Sequence, residues 1–81
     1  MAKTFHLTIA RIGENLFDGE ALSVSLPGED GVFEVLANHE AFVTPLKEGT
    51  AKVTKEDGTH ESFGIGKGIA EVSNNQATVL L

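Results

Sequence analysis

Apolar and polar residues alternate with a period of two along most of this chain, and that pattern restricts the fold more than any other feature. In Thr4–Ala10, Phe5, Leu7 and Ile9 share one phase, and Thr4, His6 and Thr8 the other. Leu22, Val24 and Leu26 alternate with Ala21, Ser23 and Ser25, and Ala51 and Val53 with Lys52 and Thr54. Phe63 and Ile65, Ala70 and Val72, and Ala77, Val79 and Leu81 repeat the pattern. Such alternation predicts strands with one buried face. Turn residues punctuate it: Gly13–Asn15, Asp18-Gly19, Pro27–Gly31, Glu56–Gly58 and Asn74–Gln76. The Asp-Gly and Asn-Asn pairs tolerate the positive φ that hairpin turns need. No window carries a 3.6-residue period, so no long helix is expected. Many short strands without helical crossovers point to an all-β, antiparallel sandwich or barrel.

At 81 residues the chain suffices for one domain, expected over 1–81. A domain this small buries only about 60% of its unfolded surface, so a partner is an expected source of support. Disulfides and thiolate metal sites are excluded by the absence of cysteine. The net charge of −6 argues against nucleic acid and against direct binding to anionic lipid. No run of eighteen apolar residues is long enough to span a bilayer, and the first residues lack the apolar core of a secretory signal.

Motifs that could carry chemistry each have a plainer reading. Gly64–Gly68 (GIGKG) has the Gly-Lys of a phosphate loop. Gly68 stands where Ser or Thr is needed, however, and the following IAEVS reads as a strand rather than a helix. A bulge or tight turn accounts for it. His6, His39 and His60 show no ligand spacing, and solvated or capping roles suit them. No Gly-x-Ser-x-Gly or cysteine nucleophile occurs. A small hydrolase would have to use Glu34 or Glu40 with His39 in a cleft. The expectation is no catalytic residue, no cofactor and no metal.

The order of motifs does point somewhere. The stretch LFDGEALSVSLPGEDGVFEVLANHEAFVTPLKEG carries Leu16, Phe17, Gly19, Glu20, Pro27, Gly28, Gly31, Val35, Leu36, Asn38, His39, Thr44, Leu46 and Gly49. The tail adds Gly68, Glu71, Val72, Thr78, Val79 and Leu80. Together these closely resemble the N-terminal domain of the epsilon subunit of F-type ATP synthases, called delta in mitochondria. The sequence departs from the family pattern at Ala37, Glu40 and Ala41, and at Glu34, where many members have glycine.

The resemblance implies a flattened antiparallel β-sandwich of about ten short strands, without the family's C-terminal helical hairpin. It implies a non-catalytic rotor subunit of the central stalk. Such a subunit links the gamma subunit to the membrane c-ring and couples ion transport to ATP synthesis. It would lie on the cytoplasmic side of an energy-coupling membrane, attached through the complex, and the isolated domain would be monomeric. Glu29, Asp30, Gly31, Val32, Asn38, His39 and Glu40 are the implied partner-facing residues. Gly19, Pro27, Gly28, Gly49 and Gly68 are the implied turn and structural positions. A free-standing β-sandwich interaction module is the alternative, and the small hydrolase a further one.

Overall fold

The computed structural model describes residues 3–81; residues 1 and 2 of the expected domain lie outside the described residues. Eight strands follow one another: β1 (Phe5–Arg11), β2 (Glu14–Gly28), β3 (Gly31–Leu36), β4 (Phe42–Leu46), β5 (Gly49–Lys55), β6 (His60–Ile65), β7 (Gly68–Ser73) and β8 (Gln76–Leu80). No helix occurs among the described residues.

One continuous hydrogen-bonded eight-stranded sheet folds into two layers, or sheets, with β4 pairing back onto β2 at Gly28 and Leu46. β2 organises the molecule, because its two halves belong to different layers. Its first half pairs with β1, which continues through β8 and β7 to β4. Its second half lies between β3 and β5, and β5 pairs onward with β6. Phe5, Leu7, Ile9, Leu46, Ala70, Val72, Ala77 and Val79 from the first sheet meet Val24, Leu26, Val35, Ala51, Val53 and Ile65 from the second in one core. No buried polar or charged side chain interrupts it among the described residues. The result is the expected all-β sandwich, with eight strands rather than about ten.

One expected break, Asp18-Gly19, is absorbed into a single fifteen-residue strand. Asp18 and Gly19 are not a turn: they pair with Thr8 and Leu7 in the β1 ladder, and Gly19 keeps a negative φ. Cross-strand bonds to β1 satisfy this backbone, so the local turn preference of Asp-Gly loses. The real β1–β2 turn is Ile12-Gly13, with Gly13 at φ 78. β2 also carries a bulge. Ala21 pairs with Lys55 and Ser23 with Thr54, leaving Leu22 extra. The bulge moves the buried phase from Ala21 to Val24 and leaves Leu22 half-buried. Simple alternation had put Leu22 inside and Ala21 outside.

Pro27 and Gly28 close β2, and the hairpin loop itself is only Glu29-Asp30. Gly31 takes the positive φ of 130. Gly28 serves space rather than φ, since a Cβ there would lie 2.8 Å from the Gly31 carbonyl oxygen and 3.0 Å from the Phe33 ring. Asn74 and Asn75, at φ 50 and 58, form the two-residue loop between Ser73 and Gln76. Positive φ at both positions is the type I′ requirement, and it suits the right-handed twist of the flanking strands. Lys55–Gly58 closes the β5–β6 turn, with Gly58 at φ 88. There the Thr59 hydroxyl and N–H donate to Asp57 and hold its carboxyl below the ordinary value. β1 and β8 run parallel, the one such pair among the described strands.

Candidate functional site

The seven expected interface residues fall into two groups. Glu29, Asp30, Gly31 and Val32 form the β2–β3 turn, with Val32 73% exposed. Asn38, His39 and Glu40 lie beyond the other end of β3. The five rises of ~3.3 Å from one end of β3 to the other separate the groups by about 17 Å. One small ligand cannot touch both, whereas an extended partner surface can.

The first group is braced by β4 and the segment after it. Glu29 N–H donates to the Pro45 carbonyl at 3.3 Å, and Lys47 N–H to the Pro27 carbonyl at 2.9 Å. Gly49 closes against Pro27, whose Cβ would lie 2.8 Å from a Cβ added there. The second group is held from three sides. His39 N–H donates to Leu36 O at 3.2 Å, closing a turn with Asn38 at φ 62. Asn38 N–H donates to Asn75 Oδ1 at 2.7 Å, and Asn75 Nδ2 donates to Thr4 O at 2.9 Å. One asparagine side chain thus joins the β3–β4 corner, the β7–β8 turn and the entry to β1.

His39 is half-buried, as expected for a loop residue outside the core, yet it is not free. Its ring packs on Phe42 at 5.0 Å between centroids, and Phe42 meets Phe33 edge-on at 5.5 Å. Nδ1 donates to the Glu40 carbonyl oxygen at 2.9 Å. Phe33, His39, Glu40, Ala41 and Phe42 line an open groove of about 310 Å³. Glu34 faces away from it, because it alternates with Phe33 and Val35 along β3. No carboxylate pairs with His39 among the described residues, and Glu40 lines the same groove. The GIGKG segment links β6 to β7 with no helix start after it. Gly64, Gly66 and Lys67 there line an open hollow with Arg11, Ile12 and Leu81.

A feature absent from the expected set lies on the outer face of the first sheet. Pro45 pairs with Ile69, Ile69 with Leu80, and Leu80 with Ala10. These four neighbours form an apolar row across β4, β7, β8 and β1, pointing away from the core. Leu80 is 53% and Ile69 42% exposed, and Val43, opposite Glu71 in the next row and two residues before Pro45 on β4, is 59% exposed. The next rows hold Asp18, Thr8, Thr78 and Glu71, then Glu20, His6, Gln76 and Ser73. His6 sits between two carboxylates, with Nε2 2.6 Å from Asp18 and Nδ1 3.3 Å from Glu20. The signal for the row was present in the sequence: Ile69 and Leu80 are apolar residues on the polar phase of their strands. Only the register shows that they touch.

The family model described as "ATP synthase, Delta/Epsilon chain, beta-sandwich domain" matches residues 4–81. The ATP synthase epsilon chain of Sulfurimonas denitrificans is 46% identical over 66 residues, covering 82% of this chain and 51% of its own. That of Chlorobium limicola is 37% identical over 78 residues, covering 96% of this chain and 89% of its own. The chain spans about half the length of most such relatives. In fold it superposes on a chain of the Euglena gracilis mitochondrial ATP synthase, solved with its c-ring, with a TM-score of 0.89 at 25% identity. That match covers 95% of this chain and 49% of the other. A chain from the central stalk and c-ring of the Tetrahymena thermophila enzyme shares the fold, with a TM-score of 0.78 at 10% identity, over 96% of this chain and 63% of the other.

Proposed function

The chain belongs to the β-sandwich family of ATP synthase delta and epsilon subunits, and from that membership we propose that it is a non-catalytic rotor part joining the gamma subunit to the c-ring. The observation that carries this reading is the uncovered apolar row Pro45, Ile69, Leu80 and Ala10, with exposed Val43 flanking Pro45 on β4. Four strands at ~4.8 Å spacing make it about 15 Å wide. A standard interface takes about 800 Å² from each partner. That is roughly a sixth of this chain's 4833 Å² surface, which one sheet face can supply. Apolar area of this kind contributes on the order of 25 cal/mol per Å² removed from water.

Gamma covers the row, and the β2–β3 turn (Glu29–Val32) reaches the c-ring loops. The β3–β4 corner (Asn38–Glu40), about 17 Å along β3, meets a separate part of the rotor. The sandwich then transmits torque as a packed body, with no bond made or broken. In this role the chain sits at the cytoplasmic side of an energy-coupling membrane, or the equivalent side in an organelle, through the complex alone. The test is co-purification of the chain with its cognate gamma subunit and c-ring. Stoichiometric recovery in the gamma–c-ring assembly is expected. An assembly that forms fully while the chain remains free would contradict the reading.

A further inference from the structure

His6 lies in the third row of the outer face, and its surroundings decide its ionisation. In the β1–β2 ladder it stands opposite Glu20, and Thr8 stands opposite Asp18. The two carboxylates are two residues apart on β2, so both project to the same side. The imidazole enters between them, Nε2 toward Asp18 Oδ1 at 2.6 Å and Nδ1 toward Glu20 Oε2 at 3.3 Å. A neutral imidazole has one N–H and one lone pair. It satisfies one of these carboxylates and turns a lone pair on the other, whereas the imidazolium donates to both.

The remaining neighbours do not change that balance. Thr4 donates its hydroxyl to Glu20 at 2.7 Å, and Thr8 to Asp18 at 3.3 Å. On the β8 side the neighbours in register are Gln76 and Thr78, both uncharged. Among the described residues, no cation other than His6 pairs with Asp18 or Glu20. A metal does not fit here, because the carboxylates address opposite ring nitrogens and the donors do not converge.

We propose that His6 is a pH-responsive clasp on the outer face. As an imidazolium it ties β1 to β2 through both ring nitrogens and leaves its patch with Asp18 and Glu20 at a single net negative charge. Loss of the proton releases one carboxylate and doubles that charge. The bond to Asp18, then that to Glu20, raises the His6 pKa above its ordinary 6.5, against a smaller opposing effect of burial. Because the folded pKa is raised, the clasp's contribution is complete below the unfolded value. It is lost as pH rises through the folded value, on the alkaline side of 6.5. The consequence for docking rests on the function proposed above: the patch adjoins the apolar row, so a cationic partner residue there is attracted more strongly on the alkaline side of the midpoint than on the acid side.

The test is an NMR titration of the His6 ring in the 81-residue chain, alongside Asp18→Asn, Glu20→Gln and the double variant. The wild-type midpoint should lie above 6.5, fall in each single variant and return to the ordinary histidine range in the double. The melting temperature should drop as pH rises through the wild-type midpoint, and the double variant should lack that step. A wild-type midpoint at or below 6.5, or one shared with the double variant, would overturn the clasp. Gamma affinity measured on both sides of the midpoint tests the docking consequence separately. A pH-dependent change absent from the double variant supports it. No change, with the titration as expected, leaves the clasp standing and refutes its link to docking.

Discussion

Asn75 holds three segments with one side chain while sitting at φ 58 in a two-residue turn. Alanine there loses the bonds to Asn38 N–H and Thr4 O and strains the backbone. At about 1 kcal/mol for the bonds and about 1 more for the left-handed conformation, Asn75→Ala should cost about 2 kcal/mol. Asn75→Gly keeps the conformation easily and should cost about half as much. Chemical denaturation of the two variants checks the difference, and equal losses would remove the conformational part of the argument. His39 separates folding from docking. Its ring packs on Phe42, so His39→Ala should cost about 0.5–1 kcal/mol of stability for the lost ring contact. If the corner docks, it should also weaken gamma binding by about 1–2 kcal/mol. Melting and affinity measured together check this; a large loss of stability with unchanged affinity would make His39 purely structural. From sequence, the Asn-Asn turn was evident in its residues. That Asn75 reaches Asn38, 37 positions away, was not, because local chemistry says nothing about which turns meet.

At the scale of elements, strand existence was legible and strand division was not. Period-two runs marked β1, β5, β7 and β8, since each presents one face to the core. β2 defeated the same reading because it serves both sheets. Its bulge at Leu22 inverts the phase, and pairing with β1 overrides the Asp18-Gly19 turn. Both effects are tertiary. Two of the four glycines grouped as structural, Gly68 and Gly19, therefore behave differently. A Cβ on Gly68 would sit 2.3 Å from the Leu80 carbonyl oxygen, where β7 and β8 approach, so Gly68→Ala should cost about 1–3 kcal/mol. A Cβ on Gly19 would meet only the Phe17 ring, at 3.8 Å. Gly19→Ala should fall between neutral and about 1 kcal/mol stabilising, through the reduced freedom of the unfolded chain. Thermal unfolding of the pair checks this, and a destabilising Gly19→Ala would mean that backbone freedom is needed in mid-strand. The apolar row was half legible: the misplaced apolar phase of Ile69 and Leu80 was readable, and their adjacency required the register.

For the whole molecule, the fold and family were readable because many weak motifs recur in one order, each with a physical reason in a turn, a close approach or a buried strand face. The division of the expected interface between the two ends of β3 was not readable, since it depends on strand length and direction. The chain should bind no ATP: Lys67 lies in an open link between strands, and β7 rather than a helix follows it. Calorimetric titration with ATP should be flat, and micromolar binding would require the Arg11–Lys67 hollow to be a nucleotide site. The central claim is that the outer sheet face docks on the rotor. It is tested most directly by the affinity of the chain for its cognate gamma subunit, compared between wild type and an Ile69→Asp, Leu80→Asp variant that remains folded by circular dichroism. Two charges placed in a desolvated apolar row should weaken binding by at least about 3 kcal/mol, more than a hundredfold. Unchanged affinity in a folded variant would contradict the claim.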